Sequence, residues 1–519
     1  MADSRTGYYS HVGKNGLLLL LSLITFPVSL TFCILGSILA SFDHTPKSEL
    51  PRNGPNTNRK TILVTGVSMT KGLTIARNLA QNTPHRIIGA DISALSPGRF
   101  SFAISKYFRL VAPRGDDAEP YIDSLLSIIR SEKIDLWISC SSVVAAVEDG
   151  QVVKLAEEAA NAEDRKFHAI QFKEDVVERF HEKDNFIEYI AGLNLTVPES
   201  YRCTSPEEVL KVLIPSVNKT KTTNGKNNTQ DNKKGKNKDR RYLLKPIAVN
   251  DLARAQMMTL LPLPDQEATA KYIQSLYISP TNPFQLQQFI PGTEYCTHAL
   301  VIRGHVKAFT CCPSSELLMH YAALPAPPRS KLAQAMLAFT QTVARDGGRD
   351  FTGHLSFDFL VEDGQDGGEE GDGDVVLYPI ECNPRAHTAV VLFDNTPEMA
   401  DAYMSVFDDE VSDYNKSTPI YPRSPAPAYY WLGHDLVTFG TLPVLDMVAG
   451  IGSWQDVVEG MGTLAKHLMY WTDGTFTVAD PWPFLVLYHL YWPARFVDAL
   501  STGKKWSRIN VSTTKMFEG

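Results

Sequence analysis

The sequence predicts an α/β (α+β) protein behind an apolar N-terminal helix. Three observations carry that prediction. Short apolar runs alternate with helix-periodic segments between residues 61 and 165. Two later stretches, 284–311 and 356–385, contain period-two segments bounded by turn residues. Residues 16–41 hold no charged side chain over 26 positions.

The uncharged run exceeds the roughly 20 residues that cross a bilayer, and Pro27 inside it is tolerated in membrane helices. A cleaved signal peptide has a shorter apolar core. A transmembrane helix is therefore expected. Lys47, Arg52, Arg59 and Lys60 follow the run, whereas Arg5 and Lys14 precede it. This bias predicts a single-pass protein whose C-terminal side is cytosolic. Sequons at Asn194, Asn218, Asn228, Asn415 and Asn510 stand against that topology.

A chain of 519 residues needs about two to four domains. The net charge of −8 and the lack of a basic stripe argue against nucleic acid as a partner. Seven scattered cysteines show neither CxxC pairs nor Cys/His ligand spacing, which fits a reducing compartment.

Residues 42–60, rich in Pro, Asn and charge, read as a linker. TILVTG (61–66) is a strand entering a glycine turn, GLTIARNLAQ (72–81) a helix and HRIIGADIS (85–93) a strand. Helix, strand and helix follow at 121–133, 134–140 and 152–165, which predicts a parallel sheet. A dinucleotide site with Gly66, Gly72 and Asp91 is the tempting reading. However, GVSMTKG lacks the GxGxxG spacing. Residues 216–241 are basic, polar and without apolar periodicity, as in a disordered insert. Residues 362–374 read as an acidic, glycine-rich loop without an EF-hand pattern.

The chemistry concentrates in the second half. Lys245 ends an apolar strand and is positioned to reach a phosphate; a snorkelling strand-end lysine is the alternative. QLQQFI, EYCTHALVI and HVKAFTC read as an antiparallel meander turned by PG and RG. In it, the backbones of Gln288 and Ile290, with Gln287 beside them, are candidates to bond a planar ligand edge, and Glu294 to accept hydroxyl protons. Glu381, Asn383 and Arg385 fall at i, i+2 and i+4 of one strand, with Asp358 on a neighbour. Two carboxylates and an amide oxygen suit Mg²⁺, and an arginine suits a phosphoryl group; a surface ion-pair ladder is the competing reading.

The order Lys183, Lys245, QQFI with Glu294, Asp358 and Glu381-x-Asn383-x-Arg385 resembles the ATP-grasp superfamily of carboxylate–amine ligases over about residues 61–410. IECNPRAHTAVVLF (380–393) and the tail 480–512 look like mycosporine-glycine ligases and fungal secondary-metabolite ATP-grasp enzymes. Behind the tail at 1–15, the transmembrane helix at 16–41 and the linker at 42–60, the resemblance implies a Rossmann-like pre-ATP-grasp domain at 61–165 and an ATP-grasp domain at 166–410, leaving 411–519 as a C-terminal extension. It places Lys183 and Lys245 on the ATP phosphates, the QQFI strand at adenine and Glu294 on the ribose. Asp358, Glu381 and Asn383 would bind two Mg²⁺ ions, with Mn²⁺ as a substitute, and Arg385 the phosphate in transfer. The substrates implied are a small-molecule acid or cyclic enone and an amino acid. For the acceptor, His387, His298 and an arginine clamp at Arg303 are candidates, with His320 and His354 behind them. One departure is PIAVNDLARAQ (246–256), which has Arg254 but no glycine where the family carries a glycine-rich flap. Outside this family, the sequence leaves a nicotinamide-dependent reductase or a catalytically silent membrane scaffold. The apolar tail at 480–500 reads as packed on the core, with a membrane-surface helix as the alternative.

Overall fold

The computed structural model describes residues 2–42, 59–113, 117–140, 145–213, 240–247, 259–314, 319–362, 375–408 and 418–518. Most of the linker and of the two low-complexity inserts lie outside these residues, as do Arg254, Asn218, Asn228 and Asn415. The chain divides into two compact units built from non-consecutive segments. The first comprises Met1–Glu178, Tyr295–Phe357 and Asn383–Gly519; the second comprises Arg179–Glu294 and Asp358–Cys382.

In the first unit, helix α1 spans Ala2–Phe42 and, among the described residues, is long and apolar enough to cross a membrane. Strands β1 (Thr61–Thr65), β2 (Arg86–Asp91), β3 (Lys106–Arg109), β4 (Leu136–Ile138) and β5 (His168–Ile170) form a five-stranded sheet in the order β3-β2-β1-β4-β5. Every pairing is parallel, as the strand–helix alternation requires. The short strands β3 and β5 have no counterpart in the sequence reading, being too brief to show a period. Helices α2 (Thr70–Asn82), α3 (Glu119–Ser131) and α4 (Ala146–Ala162) supply the crossovers. The central strands are buried on both faces. One face packs on α3 and α4, the other on residues such as Leu300, Val390, Phe393 and Tyr403.

The turn from β1 into α2 requires glycine twice. Gly66 has φ +70°, and a Cβ on Gly72 would lie 2.5 Å from the Gly66 carbonyl oxygen. Gly72→Ala is expected to cost about 1–3 kcal/mol by forcing the helix off the strand, read as a lower urea midpoint.

The antiparallel meander expected over 284–311 is divided between two sheets. In the second unit, β6 (Ser200–Cys203), β7 (Tyr242–Pro246) and β8 (Phe284–Gln288) form an antiparallel sheet in the order β6-β8-β7. It is backed by helices Pro206–Leu213 and Gln266–Gln274. Strands β9 (Gly292–Ile302) and β10 (His305–Pro313) belong to a different, four-stranded sheet with β11 (Gly353–Glu362) and β12 (Tyr378–Asn383), in the order β10-β9-β11-β12. The break falls where the Phe289 N–H turns to the Arg241 carbonyl and Pro291 offers no donor to a ladder.

Alternation also misjudged burial. Tyr295–Ile302 is buried on both faces rather than one. Within it, Thr297 Oγ1 exchanges hydrogen bonds with the Phe357 backbone at 3.2 and 2.9 Å.

The C-terminal tail packs on the first unit. Asp480, 3% exposed, accepts from the Arg77 guanidinium at 2.8 Å, Ser101 Oγ at 2.5 Å and the Phe102 N–H at 2.9 Å. Residues 482–502 form a helical run whose Phe484, Leu487, Trp492 and Phe496 are buried. Asn510 is buried, and its Oδ1 accepts from Ser512 Oγ and the Thr513 N–H, so its sequon is closed in the folded chain. Asn194 is exposed.

Candidate functional site

The second unit brings together sequence-remote residues singled out for phosphate and metal binding. Lys183 opens helix α5 (Lys183–Gly192), and its ammonium lies 3.0 Å from Glu381 Oε2 on β12. Lys245 on β7 donates to Gln287 Oε1 on the adjacent β8 at 3.1 Å. Glu381 and Asp358 are partly exposed, on β12 and β11. The Gln287 amide is buried, and its Nε2 has no partner among the described residues, so a donor is held ready beside Lys245.

The hinge differs from expectation in one respect. The Gln288 N–H is already bonded to the Glu199 carbonyl at 2.7 Å, and the Gln288 amide oxygen accepts from the Glu199 N–H. The Gln288 N–H is therefore committed to sheet pairing. Ile290 is buried just beyond β8, and Glu294 is exposed near the start of β9. Gly292 between them admits no side chain, since a Cβ would meet the Val361 carbonyl oxygen at 1.9 Å.

The i, i+2, i+4 face does not extend to Arg385. Strand β12 ends at Asn383, because Pro384 removes the next ladder donor. Arg385 lies in a bend, its N–H bonded to the Asn383 carbonyl at 2.8 Å. Glu381 and Asn383 retain the shared parity, Asn383 being 8% exposed.

In the first unit a buried polar cluster follows that bend. Lys71, 3% exposed in the first turn of α2, donates to the Ala386 carbonyl at 2.9 Å. Burial, reinforced by the Arg385 charge and partly opposed by Cys140 and Asp149, lowers its pKa from the ordinary 10.5 to about 7. The His387 N–H donates to His298 Nδ1 at 3.3 Å, and His298 stacks on His354 at 5.4 Å. Burial, then the positive charge of Lys71, lowers His298 to about 3. Burial, then His298, Arg385 and Lys71, lowers His387 to about 3. Both imidazoles are therefore neutral at pH 7. His298 Nε2 is buried without a partner among the described residues. His387 also caps the helical turn Thr388–Phe393, its Nδ1 accepting the Ala389 N–H at 3.2 Å.

Lys71 was missed by the sequence reading, which treated GVSMTKG only as a failed dinucleotide turn. A lysine in the first βα turn was the available signal. Its depressed pKa makes a testable difference. Between about pH 7 and 10.5 the unfolded chain binds more protons than the folded one, so stability rises with pH there. Lys71→Met is expected to abolish that rise, measured by urea unfolding across the window.

Arg303 is not a carboxylate clamp. It sits in the β9–β10 turn at φ +51°, and its guanidinium donates to the Asp408 and Val406 carbonyls at 2.7 and 2.8 Å. His354 bonds the Tyr403 hydroxyl at 2.8 Å within the core. His320 lies in another group. Its Nε2 is 2.9 Å from Asp435 Oδ1, while His467 Nδ1 is 2.5 Å from Asp435 Oδ2. Those separations are hydrogen bonds, shorter than two ligands of one zinc ion keep at bonds of about 2 Å in a tetrahedron. Asp91, the acid a dinucleotide ribose would need, spends its carboxylate on the N–H groups of Ser68 and Ser93 at 2.8 and 3.2 Å.

No protein-family model matches the chain, and no curated protein matches it by sequence. Among solved structures, it is similar to N5-carboxyaminoimidazole synthetase from Staphylococcus aureus, at 13% identity and a TM-score of 0.42 over 70% of this chain and 79% of that one. It is also similar to an L-amino acid ligase from Bacillus licheniformis, at 14% identity and a TM-score of 0.40 over 69% and 78%. Biotin carboxylase from Campylobacter jejuni matches at 11% identity and a TM-score of 0.45 over 70% and 72%. At these scores the likenesses carry no conclusion about function.

Proposed function

We propose that the protein is an ATP- and Mg²⁺-dependent ligase of ATP-grasp type that phosphorylates the carboxylate oxygen of a small-molecule acid, or the enol oxygen of a cyclic ketone, and joins the carbon so activated to an amine. The observation that carries this reading is the Lys183–Glu381 pair at 3.0 Å. At 23% and 39% side-chain exposure such a pair contributes at most about 1 kcal/mol to folding, so stability alone gives little reason for it. An ammonium held against a metal-type carboxylate suits a site that awaits Mg·ATP.

Within the second unit, Lys183 and Lys245 would hold phosphate oxygens, Gln287 and Ile290 the base and Glu294 the ribose. Asp358 and Glu381 offer carboxylate oxygens of the kind that fits Mg²⁺, and Asn383, two residues further along β12, offers an amide oxygen of the same hard type. The metal supplies charge neutralisation at the phosphates. Arg385 would meet the phosphoryl group in transfer. Taken by itself, the Lys71, His298 and His387 cluster of the first unit has neutral imidazoles and buried donors of a kind suited to an anionic oxygen.

The reaction balances in two steps. The substrate oxygen bonds the γ-phosphorus as the bond to the β-phosphate oxygen breaks, releasing ADP. The amine nitrogen then bonds the activated carbon, phosphate leaves with the C–O electrons, and the amine proton passes to solvent. An amino acid is the proposed amine, secondary metabolism the proposed setting, and α1 the proposed membrane attachment. ATP titration with and without Mg²⁺, followed by an ADP-release screen pairing amino acids with carboxylic acids and cyclic enones, tests the reading. Nucleotide binding that ignores Mg²⁺, or its absence, would overturn it.

A further inference from the structure

We infer that α1 lies in the plane of an anionic bilayer surface, as one edge of a membrane-facing side of the first unit, and does not cross the bilayer. The inference rests on the membrane attachment proposed above and concerns its geometry.

One face of α1 is docked on the C-terminal part of its own unit over most of its length. His11 Nε2 meets the Ala499 carbonyl at 3.3 Å, and Asn15 Oδ1 accepts the Trp506 indole N–H at 3.0 Å. Ser22 Oγ donates to the Tyr488 carbonyl at 2.9 Å, and Phe26 meets His489 edge-on at 5.4 Å. Cys33 bonds the Pro481 carbonyl, and a Cβ on Gly36 would lie 3.5 Å from the Val478 carbonyl oxygen. Steps of three, four or seven residues keep these contacts on one helix face. From His11 to Gly36 the docked length is about 37 Å at roughly 1.5 Å per residue.

The hydrocarbon core of a bilayer is only about 30 Å thick. An upright α1 would therefore carry residues 478–506 into it along the whole path. That segment holds exposed Asp498 and part-exposed Arg495, and it is anchored by the buried Arg77–Asp480 pair. Charged side chains at bilayer depth are costly to desolvate, so crossing is disfavoured.

The opposite face is apolar and open. Leu20, Leu23, Phe32, Leu35 and Leu39 are 53%, 70%, 59%, 50% and 61% exposed. A second apolar surface belongs to the same unit. Leu442, Leu445, Val448, Ile451 and Trp454 are exposed on a helical pair that begins at Leu432, itself packed with Leu30 and Cys33 of α1. Lipid is favoured as the occupant by a basic rim. Lys504 and Lys505 are exposed just before the strand pair 506–518, and Arg508 and Lys515 on it; the pair is tied to α1 where Lys14 stacks on Trp506 at 3.4 Å. An apolar helix face flanked by basic residues is how in-plane segments hold anionic membranes.

The test uses the full chain. All seven cysteines are buried, so Ser10→Cys and Lys154→Cys variants offer one exposed thiol each. In sealed membrane vesicles, an impermeant maleimide should label both positions alike, before or after permeabilisation. Labelling from opposite sides would overturn the in-plane geometry while leaving attachment and ligase activity intact. In flotation with preformed phosphatidylcholine vesicles, adding phosphatidylserine should raise binding at least tenfold. A Leu442→Glu/Leu445→Glu/Val448→Glu variant, checked for an unchanged melting profile in detergent, should lose at least tenfold. Equal binding to both vesicle types, wild-type binding by the triple variant, or detergent-free recovery as a soluble monomer or dimer would overturn the bilayer as occupant.

Discussion

Glu381→Ala is expected to remove Mg²⁺-dependent nucleotide binding and to lower ADP release by at least about 100-fold. Loss of groups that merely support a metal ligand already costs about 10–100-fold, and Glu381 is a proposed ligand itself. Folding should be almost untouched, because its partly exposed pair with Lys183 contributes at most about 1 kcal/mol. A variant with a wild-type melting profile and no Mg²⁺-dependent ATP binding is thus the predicted result. Full ATP-dependent ligation by Glu381→Ala would sink both the metal assignment and the ligase reading. Lys183→Met separates the two partners: nucleotide affinity should fall while the Mg²⁺ dependence of the residual binding persists.

Asp480→Ala is expected to destabilise the first unit by up to about 3–5 kcal/mol, because the Arg77 guanidinium, 2% exposed, loses its salt-bridged carboxylate and keeps only the Thr475 and Asp480 carbonyls as hydrogen-bond acceptors. The Ser101 hydroxyl and Phe102 N–H lose their acceptor as well. The paired replacement Arg77→Met/Asp480→Leu should recover most of the loss, since the desolvation of two charges disappears with them. Urea unfolding of the three variants measures this. An Asp480→Ala loss below about 1 kcal/mol would show that the tail is not fastened to the first sheet in the way described.

Much of the local structure was legible in the sequence. The run TILVTG, the periodic helix after it and HRIIGAD correspond to β1, α2 and β2 within a few residues. Apolar spacing and turn residues act over short range, so they can be read without a partner. Short strands such as β3 and β5 were not legible, because three or four residues show no period. The positions of Lys183, Lys245, Asp358 and Glu381 were readable as an ordered set. Their pairing was not, since Lys183 and Glu381 are far apart in sequence and meet only through the fold of the second unit.

Other features were decided only by tertiary structure. The meander was divided between two sheets because hydrogen-bond partners for Phe289 and Gln288 came from elsewhere in the second unit. Arg385 left the strand face because β12 stopped before Pro384, and Arg303 was drawn onto two backbone carbonyls. Lys71 gained its unusual acidity from burial that no local pattern encodes. By itself, the sequence determined the elements, the uncharged span of α1 and the residue types of the candidate site, because these depend on neighbours along the chain. Which strands share a sheet, which charges meet and which face of α1 is covered depend on long-range packing, and only the tertiary structure decides them.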